Sequence, residues 1–556
     1  MTIQPVEAPK PVIIIGGGPV GLAATLELAR FNVPTILIEQ HKGVAWHPKT
    51  RNFNTRTMEI ATHWGDDVYQ RLRGIDSAWK SPIRFFDQVT KNEIGQIHSG
   101  GFEGPGPDVS PCKPVMSSQD LLEMIILDKA ISTGLVDVRF NQRSLGLIKG
   151  SEEDATGVVI EVEDKDTGKT YELEGSALVA ADGYSSPIRE QLQIKRSGQQ
   201  DIHHFINTYF HADIESHIQD RTGVLLFVGN ENVSGVLQPL DTHGRWLCQM
   251  MMKEEQWKKE LWPPEKCAWW VREATAIPDL EVDVKSVGMW AMNATTADTF
   301  VQGRVVLIGD AAHQFPPTGG LGVNTGLQGM HNLIWKLAYA VNGKAGWSLI
   351  NTYDEERRLP STQTVNQSFV NHCNVGRINM SFRGIDNGLT PAQVIKESHR
   401  YGNHLGVEFG AHYKSSAVVS DGTKPPFVDD DYSEYIQSAT PGCRAPHVWL
   451  GKDRALSTVH LWGKGFTVFA SMGEAGSAWR TAAAAAAKQH NIPVGCYLIG
   501  EAGIEDIDGQ FLERYAIDAT GAVLVRPDGI VALRAAKSPS DPTAEIDDAL
   551  KQILQL

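Results

Sequence analysis

The first fifty residues alternate between unbroken apolar runs and an apolar pattern with helical spacing. Val12–Ile15 has no polar position, as is typical of a strand buried on both faces of a parallel sheet. The following PVGLAATLELAR repeats apolar residues at helical intervals, and TILIE is a second apolar run that ends at Glu39. This order of strand, helix and strand predicts a parallel α/β unit.

The turn between the first strand and the helix carries the pattern G-x-G-x-x-G. Its glycines permit a tight turn, a close backbone approach to a pyrophosphate and close packing of the helix on the strand. Free N–H groups and the positive dipole end of the helix favour phosphate there. The pattern predicts dinucleotide contacts from Gly16, Gly18, Pro19, Val20 and Gly21.

An acid follows the second strand of this unit. Glu39 lies 18 residues after Gly21, at the distance where a carboxylate holds a ribose hydroxyl, and Gln40 is its neighbour. An acid at this place favours an unphosphorylated ribose, so FAD or NAD fits better than NADP.

Two later apolar runs also end at acids. ALVA precedes Asp182-Gly183, and RVVLI precedes Asp310, which is followed by two prolines, several glycines and a long helical pattern. A helix start rich in glycine offers backbone N–H groups to a ligand. Further cofactor contacts are predicted at Asp182, Asp310, Pro317, Gly320, Gly322, Val323 and Asn324.

Between about residues 201 and 292 the pattern changes to alternating apolar and polar positions separated by turn residues. This predicts a β-sheet, with strands added from residues 79–101, and one sheet face covering the cofactor. A polar side chain on a strand is often structural, so the alternative for each candidate below is that it makes no contact with substrate. The candidate substrate contacts are Gln249, Trp290, Asn293 and the wall residue Pro316, and the catalytic candidates on strands are Tyr209 and His211.

Composition narrows the class of protein. The 556 residues carry a net charge of -15 without a Lys/Arg block, which argues against nucleic acid or anionic membranes as partners. No apolar run approaches the roughly 20 residues of a membrane span. Six scattered cysteines, without C-x-x-C or metal-ligand spacing, predict reduced thiols in a cytoplasmic protein and no metal site.

The order of the three motifs resembles that of the single-component FAD-dependent aromatic hydroxylases, the class A flavoprotein monooxygenases. G-x-G-x-x-G, then D-G, then GDAAHQFPPTGGLGVN follow one another as in that family. HPKTRNFNTRTMEI, SSQDLLEMIIL, TYDEERRLP, GCRAPH and LVRPDG resemble its phenol hydroxylase and dichlorophenol hydroxylase branch. The resemblance spans nearly the whole chain.

The resemblance implies an α/β (α+β) multidomain fold. A Rossmann-like FAD-binding domain would comprise residues 1–82, 116–195 and 299–400, and an interposed β-sheet substrate domain residues 83–115 and 196–298. A thioredoxin-like C-terminal domain would comprise residues 405–556, where strand, helix, strand, strand pair and helix follow in that order. Without C-x-x-C, this domain is expected to form a dimer contact or cap, dispensable for flavin binding but needed for assembly of a homodimer.

The resemblance also implies the reaction. NADPH or NADH would reduce FAD transiently, and O2 would then form a flavin C4a-hydroperoxide that hydroxylates a small phenolic substrate. Asp310 would hold the ribityl hydroxyls, Asp182 would serve FAD and the reductant, and Gln119 of SSQDLLEM would contact FAD. Two alternatives stay open: Baeyer–Villiger or decarboxylative oxygenation of an aromatic or polyketide substrate on the same scaffold, and a flavin dehydrogenase that does not use O2.

Arg51 is the remaining catalytic and cofactor-binding candidate. In phenol hydroxylase the corresponding position is an Asp that takes the phenol proton, a task that Arg cannot perform. Arg51 would instead hold a phenolate, a substrate carboxylate or the flavin edge, or be solvated at the surface. The sequence does not indicate the catalytic base, the ring substrate, its regiochemistry or the choice between NADH and NADPH.

Overall fold

The structure is a computed structural model that describes residues 10–77, 82–98, 108–382, 388 and 390–556. The α-helices of these residues are α1 (Pro19–Arg30), α2 (Thr55–Thr62), α3 (Asp66–Gly74), α4 (Gln119–Ser132), α5 (Pro187–Gln191), α6 (Glu215–Ile218), α7 (Pro264–Thr275), α8 (Gly322–Val341), α9 (Asn351–Phe382), α10 (Pro391–Glu397), α11 (Leu405–Phe409), α12 (Glu474–His490), α13 (Phe511–Tyr515) and α14 (Pro542–Leu554).

The strands are β1 (Val12–Ile15), β2 (Thr35–Glu39), β3 (Asn52–Phe53), β4 (Ile83–Phe86), β5 (Glu93–Ile97), β6 (Val115–Met116), β7 (Val136–Phe140), β8 (Gln142–Lys149), β9 (Val158–Asp164), β10 (Lys169–Gly175), β11 (Ala177–Ala180), β12 (Arg196–Gln199), β13 (His204–His211), β14 (Leu225–Gly229), β15 (Ser234–Pro239), β16 (Arg245–Met252), β17 (Asp283–Ala291), β18 (Ala294–Ala297), β19 (Val301–Gln302), β20 (Val305–Leu307), β21 (His313–Gln314), β22 (Trp449–Leu450), β23 (Leu456–Ser457), β24 (Phe466–Ser471), β25 (Val494–Ile499), β26 (Ala522–Val525) and β27 (Val531–Ala535).

A six-stranded sheet in the order β19-β20-β11-β1-β2-β7 forms the Rossmann-like part. All its pairs are parallel except β19 with β20, and β1 is completely buried at its centre. Carboxyl ends of parallel strands lie at one edge, so Gly16, Asp182 and Asp310 meet there. This arrangement confirms the predicted fold class.

A seven-stranded sheet in the order β17-β13-β16-β15-β14-β4-β5 forms the predicted second layer. One face packs Ile206, Phe210, Trp246 and Cys248 against helix α7. The other face, which we call the cleft face, turns toward the Rossmann-like part. Helix α7 was not predicted, because the sequence analysis assigned strands throughout residues 201–292. Residues 79–81 and 99–101 of the expected added strands lie outside the described residues.

The C-terminal part contains a four-stranded sheet in the order β25-β24-β26-β27, with α12 and α14 packed together. β24 pairs parallel with β25 and antiparallel with β26, as the thioredoxin-like order predicts. Its core is shared with Trp335 and Tyr339 of α8. Removal of residues from 405 onward would uncover this core, and their expected dispensability for flavin binding stays a prediction. The exact domain boundaries stay a prediction.

Candidate functional site

The glycine turn after β1 is shaped by close approaches of the backbone. Gly16 has φ of +106°, and a Cβ atom there would lie 2.2 Å from the carbonyl oxygen of Ala181. A Cβ on Gly21 would lie 2.0 Å from the Gly16 oxygen, whereas one on Gly18 would meet nothing within 4 Å. Helix α1 then begins at Pro19 without a side-chain cap, and Val20 is buried behind it. The turn therefore offers open backbone N–H groups, as a pyrophosphate site requires.

Glu39 is held in one orientation at the end of β2. Its Oε2 accepts a hydrogen bond from the Gly17 N–H at 2.6 Å, and its Oε1 accepts one from the His41 N–H at 2.7 Å. A carboxylate has further acceptor capacity, so a ribose hydroxyl can still bind. Gln40 is exposed, and its carbonyl oxygen accepts a hydrogen bond from Lys165 at 2.8 Å.

Asp310 faces the cleft between the two layers. Its carboxyl is accessible to water and yet enclosed by the surrounding protein, as expected for the wall of a deep cleft. Enclosure raises the pKa of Asp310, and the nearby Lys49 ammonium opposes this rise. No hydrogen bond from the described residues reaches this carboxylate, and a polyol such as the ribityl chain of FAD would supply the missing donors.

The glycine loop before α8 lies next to Asp310. Gly319 and Gly320 have φ values of +102° and +65°, which side chains rarely adopt, and the Gly320 N–H donates to the Pro317 carbonyl at 3.0 Å. Pro316 is buried, whereas Pro317 is exposed. Helix α8 then begins, without a side-chain cap, at the half-buried Gly322 and Val323. Its first N–H groups therefore suit the electron-rich edge of a flavin.

The side-chain amide of Asn324 makes all four of its hydrogen bonds within the protein. Its Oδ1 accepts from the Asn54 N–H at 2.9 Å and the Thr57 hydroxyl at 2.7 Å. Its Nδ2 donates to the carbonyls of Asn52 at 2.9 Å and Gly320 at 2.8 Å. The cofactor contact predicted for Asn324 can therefore come only from its backbone, while its amide joins the starts of α2 and α8.

Gln119 and Asp182 also have protein partners. Gln119 donates through Nε2 to Glu123 at 2.6 Å, and Glu123 accepts from the Ala45 N–H at 2.7 Å. Asp182 accepts from the Ser186 hydroxyl at 2.6 Å, and burial raises the pKa of Asp182. These bonds fix the loop after β2 and the turn after β11 beside the cleft.

Arg51 is buried, with 7% of its surface exposed, so the alternative of a solvated surface residue is wrong. Its Nη1 donates at 2.6 Å to the carbonyl of Pro239, the last residue of β15, and its Nη2 donates to the carbonyl of Val224, which directly precedes β14. Burial lowers the pKa of Arg51 to about 9, although nearby Tyr401 raises it. The guanidinium therefore carries a buried positive charge whose hydrogen-bond partners are neutral carbonyls.

The cleft face carries an aromatic pair. The rings of Phe205 and Trp290 stack with centroids 4.4 Å apart at 9°, and Trp290 donates through Nε1 to Asn207 at 2.7 Å. Gln249 is buried on the neighbouring strand β16, which pairs Gln249 with Asn207. Asn293 lies in the connection after β17, where its Oδ1 accepts from the Asp201 N–H at 2.8 Å.

Tyr209 and His211 form part of a separate network at one end of the cleft face. The Tyr209 hydroxyl lies 3.0 Å from His211 Nε2 and accepts from Arg245 Nε at 3.0 Å. Arg245 Nη2 donates to Asp120 on α4 at 2.9 Å. These bonds connect the sheet to α4 and engage the hydroxyl of Tyr209 and Nε2 of His211, the two residues predicted to be catalytic.

His47 is a candidate that the sequence analysis missed. Its Nδ1 lies 2.6 Å from the Ser286 hydroxyl, and its Nε2 is buried without a hydrogen-bond partner among the described residues. A Cβ atom on Gly288 would lie 3.6 Å from that Nε2, which places the ring against the cleft face. Burial and Lys49 lower the pKa of His47 to about 4, so the ring is neutral near pH 7. The sequence signal for His47 was its position in the HPKTR stretch, from which the sequence analysis selected only Arg51.

Two further classes of site receive no support from the part of the chain that the structure covers. None of its helices is long and apolar enough to cross a membrane. It also contains no group of three or more His, Cys, Asp or Glu residues arranged to hold a metal ion.

Comparison with known proteins finds a matching family for each of two parts of the chain. Residues 10–368 match the FAD binding domain family, and residues 438–555 match the family described as aromatic-ring hydroxylase, C-terminal. The chain is 33% identical to tetracenomycin A2 monooxygenase-dioxygenase of Streptomyces glaucescens, over 98% of this chain and 96% of that protein. It is 32% identical to 2,4-dichlorophenol 6-monooxygenase of Cupriavidus pinatubonensis, again over 98% and 96%.

Among solved structures, the flavin-dependent monooxygenase PieE, in complex with FAD and substrate, superposes with a TM-score of 0.88 at 30% identity and 99% coverage of both chains. Three features fit FAD: the open glycine turn, the Asp310 carboxylate, which receives no donor from the described residues, and the uncapped start of α8. The chain therefore belongs to the FAD-dependent aromatic-ring hydroxylases and is an FAD-dependent monooxygenase.

Proposed function

We propose that this enzyme uses NAD(P)H and O2 to hydroxylate a phenolic ring bound between the cleft face and the Rossmann-like part. When bound, FAD supplies the redox chemistry, which takes a hydride from NAD(P)H and transfers one oxygen atom to the ring. The observation that carries the proposal is Nε2 of His47, which lies against the cleft face with no hydrogen-bond partner among the described residues. Relatives named for a tetracenomycin and for a dichlorophenol support an aromatic substrate.

His47 is the group proposed to take the phenol proton. A phenol becomes a better nucleophile when a base removes its proton. If Nδ1 donates to the Ser286 hydroxyl, Nε2 carries the lone pair that can accept a proton. Arg51 cannot act as a base. Tyr209 and His211 are hydrogen-bonded to each other, so these two residues are weaker candidates for the base.

The ring is proposed to pack beside the Phe205–Trp290 pair, with Pro316 as a buried wall. Gln249 and Asn293 are the polar contacts proposed for ring substituents. The buried charge of Arg51 favours a nearby anion, which the deprotonated phenol or the reduced cofactor provides.

The cofactor contacts of the predicted residues are part of the same proposal. Asp310 and Glu39 hold hydroxyl groups, the glycine turn holds the pyrophosphate, and the loop from Gly320 to Val323 faces the flavin ring. Asp182 serves FAD and the transient reductant, and Gln119 acts by fixing the loop after β2.

Baeyer–Villiger or decarboxylative oxygenation on the same scaffold is the second candidate function. It needs the same cofactor residues and differs in the product formed, so product mass distinguishes the two.

A homodimer in the cytoplasm is also proposed. Exposed apolar side chains such as Phe427, with 85% of its surface accessible, support an interface, and six unpaired cysteines support a reducing compartment.

The test starts from the purified enzyme. We expect a yellow protein whose NAD(P)H oxidation rises with a phenol and whose product gains one oxygen atom. A colourless protein, or oxidation that no phenol stimulates, would contradict the proposed reaction.

His47→Gln tests the base. General-base catalysis contributes about 10²–10⁴-fold, so kcat is expected to fall by about a hundredfold or more and to recover at high pH, where the phenol ionises by itself. His243→Gln is the matched control, since His243 is exposed. Equal kcat values and pH profiles for the two variants would remove His47 from this role.

A further inference from the structure

A buried ion cluster joins the C-terminal part to the long helices of the Rossmann-like part. Arg526 follows β26 and is completely buried. Its Nη1 and Nη2 donate to the two carboxylate oxygens of Glu356 on α9, at 2.6 and 2.8 Å. Lys336 of α8 donates to the same carboxylate at 2.9 Å, and Asp528 accepts from Arg526 Nε at 3.0 Å. The LVRPDG and TYDEERRLP stretches therefore meet in one cluster.

A second buried cluster joins the C-terminal part to α2. Arg444 of the GCRAPH stretch donates through Nε to Glu59 at 3.0 Å. Arg56 donates through Nη1 to the same carboxylate at 2.8 Å and through Nη2 to the Asp528 backbone carbonyl at 2.7 Å. Burial alone would raise the pKa of Glu59, but the Arg444 and Arg56 guanidiniums lower it to about 2. The carboxylate is therefore charged across the neutral range.

These two clusters act on helices whose first residues border the cofactor cleft. Asn332 of α8 donates to Glu356 at 2.6 Å and to Asp528 at 3.1 Å. It lies ten residues after the helix start at Gly322, which is about 15 Å along the axis at 1.5 Å per residue. The amide of Asn324 ties the start of α8 to that of α2. We therefore expect a displacement of either cluster to shift both helix starts.

We propose that Arg526 and Arg444 are positioning residues, which set the place of the α2 and α8 starts against FAD. Breaking a buried ion pair leaves an uncompensated charge, so each helix has one favourable position relative to the C-terminal part. The proposal rests on the assignment of FAD to the cleft. It gives the C-terminal part, which lacks C-x-x-C, a function in the monooxygenase reaction.

Arg526→Met removes the charge and keeps a long side chain. We expect the FAD dissociation constant to rise by about tenfold, within the range typical of coupling between two sites. At saturating FAD, the absorption spectrum of the bound flavin should differ from that of the wild-type enzyme. Tyr515→Phe is the control, because the Tyr515 hydroxyl donates to Pro446 within the C-terminal part. It should lower the melting temperature without changing the FAD constant or the spectrum.

Asp528→Asn is the second variant if Arg526→Met does not fold, because it preserves side-chain size and weakens the same cluster. The same direction of change in FAD affinity and spectrum is expected. A folded Arg526→Met or Asp528→Asn protein with the wild-type FAD constant and spectrum would overturn the proposal. A wild-type protein that binds no FAD would instead refute the cofactor assignment, so the two failures are distinguishable.

Discussion

Replacement of Asn324 by Ala tests whether the joined starts of α2 and α8 stabilise the cofactor cleft. Asn324 has only 1% of its surface exposed, and its amide makes four hydrogen bonds. The change removes all four and adds no new group. Its partners include the backbone N–H of Asn54 and the carbonyls of Asn52 and Gly320.

The expected loss follows from these bonds. Each net hydrogen bond contributes about 0.5–1.5 kcal/mol, so four would give about 2–6 kcal/mol. The Thr57 hydroxyl can rotate to another acceptor, and the Gly320 carbonyl can turn to water from the cleft, so we expect about 3 kcal/mol. With an unfolding entropy of about 2.1 cal/mol/K per residue, the 556-residue chain shifts by about 0.9 °C per kcal/mol, so the melting temperature should fall by about 3 °C.

The assay is thermal unfolding at saturating FAD, followed by titration of the apoprotein with FAD. The control is Asn351→Ala, because Asn351 is exposed and surface substitutions usually change stability by less than about 0.5 kcal/mol. A melting temperature within about 0.5 °C of the control, which corresponds to about 0.5 kcal/mol, together with an unchanged FAD constant, would refute the reasoning.

Four further outcomes are expected. Asp310→Asn should weaken FAD binding by about 10–100-fold, since hydrogen bonds to a charged acceptor contribute about 1.5–3 kcal/mol; an unchanged titration would exclude that contact. Glu39→Gln should show a milder loss of FAD affinity in the same titration, because part of the acceptor capacity of the Glu39 carboxylate is already used by the Gly17 N–H. Arg51→Lys should raise KM for a phenol or slow flavin reduction in stopped-flow measurements, since the forked geometry is lost. The folded pKa of Glu59 is lowered from 4.5 to about 2, so its stabilisation is present above pH 4.5 and lost as the pH falls toward 2. Melting temperatures across that window should fall less steeply for Glu59→Gln.

The cofactor half of the site could be predicted because local patterns encode it. Gly16 and Asp310 lie directly after apolar runs, and parallel strands bring such positions to one edge regardless of the chain between them. The substrate half could not be predicted equally well. Strand periodicity shows which residues share a face, but the loop that carries His47 comes from another part of the chain.

The roles of polar residues depended on partners distant in sequence. Arg51 could be read as solvated because nothing near it in the chain shows that Val224 and Pro239 cover it. The sequence predicts Asn324 as a cofactor contact, but the four hydrogen bonds of its amide to the protein are visible only in three dimensions. Helix α7 was missed because the surrounding strands set the expected periodicity. The core that α8 shares with the C-terminal part was not predicted, because the order of strands and helices along the chain does not show which of them pack together.

The strand order of the six-stranded sheet has a consequence for synthesis of the chain. β1 is among the first strands to leave the ribosome, yet its neighbour β11 begins at Ala177 and the next strand β20 begins at Val305. Lys336 can neutralise Glu356 earlier, but this buried carboxylate lacks its two hydrogen bonds from Arg526 until that residue has been synthesised. Such non-local pairing is slow and leaves apolar edges open during translation. We therefore expect nascent chains that stop before Arg526 to need chaperones and to remain susceptible to proteases, while the released full chain becomes resistant.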